Sequence, residues 1–137
     1  MHASPAPALT IWCNAKFSDA DTERLVAGTR GHRLVFSKNA STSVLAAGRA
    51  DPALEAADVA FGQPDAVQCL ATSRLRWVAL TTAGYTRYDA AEFREKFGGR
   101  GAVLTSVSQV FADSCAQHVL AMMLTLGRQL LHPTRCS

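Results

Sequence analysis

The 137-residue sequence is poor in charge and in rings, with 18% charged and 7% aromatic residues. Neither sign dominates, since 14 Lys+Arg stand against 11 Asp+Glu for a formal net charge of +3. A dedicated nucleic-acid binder shows a clustered basic stripe, so no nucleic-acid partner is expected. Five prolines and nine glycines are too few for a fibrous or low-complexity chain. The four cysteines Cys13, Cys69, Cys115 and Cys136 share no short spacing, and His2, His32, His118 and His132 complete no ligand pattern. No metal site is expected. The longest apolar stretch, Val119 to Leu126, is far short of the ~20 residues of a membrane span. No Lys or Arg precedes the first apolar run, and no signal-peptide core is visible. A soluble cytoplasmic protein with reduced thiols is expected.

Hydrophobic residues make up 48% of the chain, enough for one domain with a real core. Cys13, Cys69 and Cys115 sit in apolar contexts and read as small buried hydrophobes. Short apolar, partly β-branched runs predict strands at Leu9–Cys13, Leu34–Phe36, Asp58–Gly62, Trp77–Thr81 and Val103–Val107. The fourth is continuous rather than alternating, as in a strand covered on both faces. Between them, helix-start and helix-stop residues predict helices over Thr22–Thr29, Ser41–Arg49, Ala66–Thr72 and Asp89–Lys96. Gly48 is expected to close the second, and Pro52–Ala57 to extend or repeat it. Strands alternating with helices indicate right-handed βαβ units and an α/β parallel sheet of about five strands with helices on both faces.

The last predicted helix, Ala112 to Leu131, behaves differently. Val119, Leu120, Ala121, Met122, Met123, Leu124 and Leu126 cover every side of two turns, whereas a helix lying on one sheet keeps a polar outer face. It needs partners all round, from a larger protein or a second subunit. Residues 132–137 lose all periodicity, and the chain reads as one cut short.

Ligands in open α/β sheets bind beyond the carboxyl ends of the strands. That rule selects four loops: Asn14–Phe17, Gly62–Pro64, Thr82–Tyr85 and Ser106–Phe111. In the third, Ala83-Gly84 lets a small carboxylate approach main-chain N–H groups closely, with Thr81, Thr82 and Arg87 nearby. Composition alone favours a plainer reading, in which Gly84 only makes a strand-to-loop turn. The concentration of Arg74, Arg76, Arg87, Arg94, Lys96 and Arg100 reads as a solvated face before it reads as steering of a small anion. Gly99-Arg100-Gly101 precedes a predicted strand, whereas a dinucleotide fingerprint follows one. His118 reads as a structural histidine, and Asp113 as a charge at the positive end of the helix dipole. Ser114-Cys115 has no base placed for it.

Three segments in order carry a resemblance: Ala57 to Pro64, Leu75 to Tyr88, and Val110 to Leu124. Together they resemble the N-terminal part of the D-isomer-specific 2-hydroxyacid dehydrogenases, relatives of phosphoglycerate dehydrogenase and glyoxylate/hydroxypyruvate reductase. The resemblance implies a flavodoxin-like, three-layer substrate domain over residues 1–111. Residues 112–131 would be the crossover helix into an NAD(P)-binding Rossmann domain and part of a homodimer interface, and 132–137 an irregular tail. It implies that amides at Ala83 and Gly84 hold the carboxylate of a small 2-hydroxy or 2-keto acid, and that Cys115 approaches NAD or NADP. The family's catalytic Arg, Glu and His and its glycine fingerprint match nothing here, so no catalytic residue is assigned and the fragment is expected to be inactive. Ser106, Asp113-Ser114 and Gln117 depart from the family's usual Asn, Glu-Pro and Glu. The alternative is a stand-alone, non-catalytic α/β module that dimerises or regulates through its last helix.

Overall fold

A computed structural model describes residues 7–41 and 48–130. The centre of the expected Ser41–Arg49 helix, the leader through residue 6, and Leu131 with the 132–137 tail lie outside the described residues. Five strands form one sheet: β1 (Thr10–Ala15), β2 (Arg33–Ser41), β3 (Val59–Gly62), β4 (Trp77–Leu80) and β5 (Val103–Thr105). All pairings are parallel, in the order β2-β1-β3-β4-β5. This is the flavodoxin-like α/β arrangement. The connecting elements are α1 (Asp19–Gly28), a 3₁₀ turn at Pro52–Ala56, α2 (Ala66–Ala71), a second 3₁₀ turn at Thr86–Tyr88, and α3 (Ala91–Phe93), which continues as a π-helical turn over Arg94–Gly98.

Local chemistry sets the ends of these elements. Ser18 caps α1 by accepting from the Asp21 N–H, and Asp65 caps α2 by accepting from Gln68, which removes orphan donors from each first turn. Asp51 does the same for Ala53, with Pro52 at the first position of its turn. The Pro52–Ala57 stretch thus forms a tight 3₁₀ turn rather than a helical extension. Gly48 serves close approach: an added Cβ would collide with the Gln63 carbonyl.

Register divides the sheet into two faces. Trp12, Val35, Ala60, Val78 and Leu104 are matched across the strands, and this row faces the core. Trp12, Ala60 and Val78 pack there with Leu54, Cys69, Leu75, Phe93 and Phe97. Right-handed crossovers place the 3₁₀ turn, α2 and α3 on this face and α1 on the other, because only β1→β2 runs the opposite way across the sheet. The second face is thinly covered. Phe17 stacks on Phe61 at 5.7 Å, α1 has no buried residue, and Trp77 and Val103 stay 45% and 53% exposed. β4 is therefore covered on one face only at its start, against the expectation of two.

Helix α4 (Ser108–Gly127) belongs to a separate compact unit beginning at Val107. It starts one turn before the expected Ala112 and absorbs two-thirds of the expected Ser106–Phe111 loop. None of its residues is buried. Phe111, Cys115, Val119, Met122 and Leu126 recur at helical spacing and make one apolar stripe. Gln109, Asp113 and Gln117 interrupt the other side of its first half, and His118 stands at the edge of the stripe. The helix is 20 residues long and contains an 18-residue window of mean hydropathy 1.2, just long and apolar enough to cross a membrane. Counting unbroken apolar residues missed this, because the helix gathers apolar residues separated by single polar ones.

Candidate functional site

The carboxyl ends of β1, β3 and β4 are tied together by side chains. Asn14 is 3% exposed. Its Nδ2 donates to the Gln63 carbonyl at 2.8 Å, and its Oδ1 accepts from the Gln63 N–H at 2.7 Å. Gly62 permits this clasp, with φ at +128° and no room for a Cβ against the Asn14 Oδ1. In this strand order the switch point lies between β1 and β3, where ligands commonly enter. Here the chain's own amide groups occupy that crevice. Two of the expected loops, Asn14–Phe17 and Gly62–Pro64, thus serve as a brace.

The brace continues under the β4 loop. Gln63, 6% exposed, donates from Nε2 to the Thr82 Oγ1 at 3.0 Å. The Thr82 hydroxyl in turn donates to the Gly84 carbonyl at 2.9 Å. Farther along, the Tyr88 hydroxyl donates to the Pro64 carbonyl at 2.7 Å, and the Tyr88 N–H to the Tyr85 carbonyl at 2.8 Å. The Thr82–Tyr85 segment is therefore held at both ends to the residues that follow β3. A trans peptide sets its C=O and N–H in opposite directions. With the Gly84 carbonyl drawn to Thr82, the Tyr85 N–H points to the other side.

Ala83 and Gly84 are both exposed. Gly84 does not have the left-handed φ of Gly62, and a Cβ added to it meets no atom within 4 Å. Other glycines with such open flanks and ordinary φ (Gly28, Gly98, Gly99 and Gly127) stand at or beside helix ends. The fold itself does not require glycine at position 84. What the missing side chain provides is access to the main chain.

Charge around this loop is sparse. A cavity of about 270 Å³ beside it is lined by Tyr85, Tyr88, Phe93, Phe97 and Leu104. Its charged members, Asp89 and Arg94, pair with each other at 2.7 Å, which makes it an apolar recess rather than an anion site. The basic stretch is mostly spent on structure. Arg74 forks onto Asp58 at 2.8 and 3.1 Å, and Lys96 meets Glu92 at 2.7 Å. Arg100 donates to the carbonyls of Cys69, Leu70 and Leu75 while lying 4.7 Å over the Phe97 ring. Arg87 and Arg76 are exposed, and Thr81 is half-buried.

Two buried carboxylates lie apart from the loop. The Asp58 carboxyl is held below its ordinary range chiefly by Arg74, with the Thr10 N–H adding a hydrogen bond. Burial works to raise Asp51, yet hydrogen bonds from Ser37, the Ala53 N–H and the Trp12 indole leave it lowered. Burial also raises the Cys13 thiol and pushes Cys69 up to about 12, so both are inert.

On α4 the reading of Cys115 as buried is corrected: it is exposed, because the helix that carries it buries nothing. Asp113, Ser114 and His118 are exposed too, which overturns a packed structural role for His118 within this chain. The residues described do not fit a dinucleotide. Gly98-Gly99-Arg100-Gly101 lies between the π-helical turn and β5, with Gly101 in a left-handed turn, and it opens no helix toward a phosphate.

Ala83 and Gly84 thus stand side by side on a braced loop, and the Thr82 hydroxyl, expected beside the anion, donates to the Gly84 carbonyl instead. Gln63 and Asn14 were read only as members of loops. Their pairing spans 49 positions, and nothing local signals it. Comparison of the chain with family models, with curated proteins and with solved structures gives no match in any of the three.

Proposed function

We propose that this chain is the substrate-binding part of an NAD(P)-dependent D-2-hydroxyacid dehydrogenase, an enzyme that interconverts 2-hydroxy and 2-keto acids by hydride transfer. The reading rests on the resemblance of three segments and on one observation, the exposed Ala83-Gly84 main chain on a loop held by hydrogen bonds. A carboxylate there accepts from backbone N–H groups at a place where no side chain stands in its way. The chain's own task is to bind and orient. Among the described residues we assign neither a dinucleotide site nor an acid–base pair; in this reading both are supplied by further protein, and no chemical step is assigned to this chain. Cys115 on α4 would face the cofactor. The protein is read as cytoplasmic, with α4 covered by protein in a homodimer rather than by lipid.

The test is an amide-resolved NMR titration of the 137-residue chain with oxamate, an unreactive 2-keto-acid analogue. Shifts confined to Ala83, Gly84 and Tyr85 support the reading, and an unmoved loop refutes it.

The unburied apolar surface of α4 also favours a second reading, a stand-alone module that pairs through this helix and acts without catalysis. Light scattering separates the two. A uniform dimer with no oxamate response supports the module, and a heterogeneous species that responds to oxamate supports the dehydrogenase fragment.

A further inference from the structure

Gln63 is buried, touches no exposed surface of the loop, and yet stands behind the group that sets the loop's peptide orientation. We propose that Gln63, acting through Thr82, is the positioning residue of the carboxylate site, an inference that rests on the substrate-binding reading above. The relay has three links. Asn14 fixes the Gln63 backbone from both sides, at 2.8 and 2.7 Å. Gln63 Nε2 then donates to Thr82 Oγ1 at 3.0 Å, which leaves the Thr82 hydroxyl hydrogen for the Gly84 carbonyl at 2.9 Å.

Direction matters in this chain of bonds. A hydroxyl has one hydrogen to give. Because Gln63 presents an N–H, Thr82 accepts there and donates to Gly84, and the Gly84 carbonyl is drawn away from the exposed side. The same peptide unit then turns the Tyr85 N–H outward. Without the Gln63 donor, the Thr82 hydroxyl is released to rotate, and the Gly84–Tyr85 peptide has no fixed orientation. A carbonyl turned toward a bound carboxylate would repel it where an N–H would attract it. The relay therefore sets the polarity of the Gly84–Tyr85 peptide, which adds the Tyr85 N–H to the Ala83 and Gly84 amides of the proposed site, and it reaches from the β1–β3 switch point to the β4 loop.

Three variants test this: Gln63→Met, which keeps length and loses the donor; Thr82→Val, which keeps shape and loses the hydroxyl; and Thr82→Ser, which restores it. The readouts are the oxamate dissociation constant from Gly84 and Tyr85 amide shifts, and the positions of those shifts without ligand. Q63M and T82V are expected to weaken oxamate by about 10-fold, the scale of one hydrogen bond, and to move the ligand-free Tyr85 amide shift. T82S is expected to recover most of the affinity that T82V loses, which a merely space-filling role would not produce. If wild type binds and Q63M and T82V bind equally well, the positioning role is overturned while the carboxylate site stands. If wild type leaves Gly84 and Tyr85 unmoved, the carboxylate site falls and the role falls with it.

Discussion

Asp51 shows how much of this fold hangs on single buried polar groups. Its carboxylate accepts from the Trp12 indole at 3.0 Å and from Ser37, while its main chain exchanges two hydrogen bonds of 2.8 Å with the Gln68 side chain. β1, β2, the first 3₁₀ turn and α2 all meet at this residue. Asp51→Ala strands the Trp12 N–H in the core, and chemical denaturation should show a loss of about 3 kcal/mol. Asp58 makes a prediction about pH. Both carboxyls have folded values below their unfolded ones, so their stabilisation is present above the unfolded value of ~3.9. It is lost as pH falls through the lowered folded values. Melting temperature should therefore drop steeply below about pH 4, and Asp58→Asn should flatten that limb while leaving a less stable protein at neutral pH. An acid limb of equal slope in both proteins would contradict this.

At the scale of elements, what could be read from the sequence followed range. The five strands were legible because each is a short apolar run bounded by turn residues; their order was not, since right-handed crossovers fix only the face each helix takes once an order is given, and the flavodoxin-like order was implied by the resemblance alone. Boundaries were less legible. β2 runs on to Ser41, past the expected Phe36, because its later residues are polar and carry no apolar signal. α4 begins at Ser108 because helix continues through Gln109 and Val110, where no capping residue marks a start. The loop at Ala83-Gly84 was visible as composition. Its brace was not, since Gln63 and Thr82 are 19 positions apart and only the closed sheet brings them together. α4 carries its own prediction. Met123 is 65% exposed and Val119 56%, and if protein covers this helix, Val119→Glu should abolish self-association in light scattering without moving the melting temperature of the sheet unit. Vesicles of neutral phospholipid should leave the chain in the supernatant, because Asp113, in the second turn of α4, opposes burial in hydrocarbon. Sedimentation with the vesicles would instead assign α4 to a membrane.

At the scale of the whole molecule, the proposed binding loop belongs to the sheet unit and the proposed association surface to the unit that holds α4. The first sheet face holds a closed core around Trp12, Leu54 and Val78. The second face and α4 leave Trp77, Val103, Leu120 and Leu124 about half exposed, more than an isolated small domain ordinarily tolerates. That asymmetry supports the proposal that further protein covers α4. Accordingly the purified chain should not oxidise NADH in the presence of glyoxylate or hydroxypyruvate, and measurable turnover would refute its assignment as a binding part alone. The most direct measurement uses Gly84, whose flank is open and whose backbone any residue can adopt. Oxamate titration of Gly84→Ala beside wild type should give a protein of unchanged melting temperature whose loop amides respond at least 10-fold more weakly. A Gly84→Ala protein that binds oxamate as wild type does would show that the open main chain at this loop is not where the substrate is held.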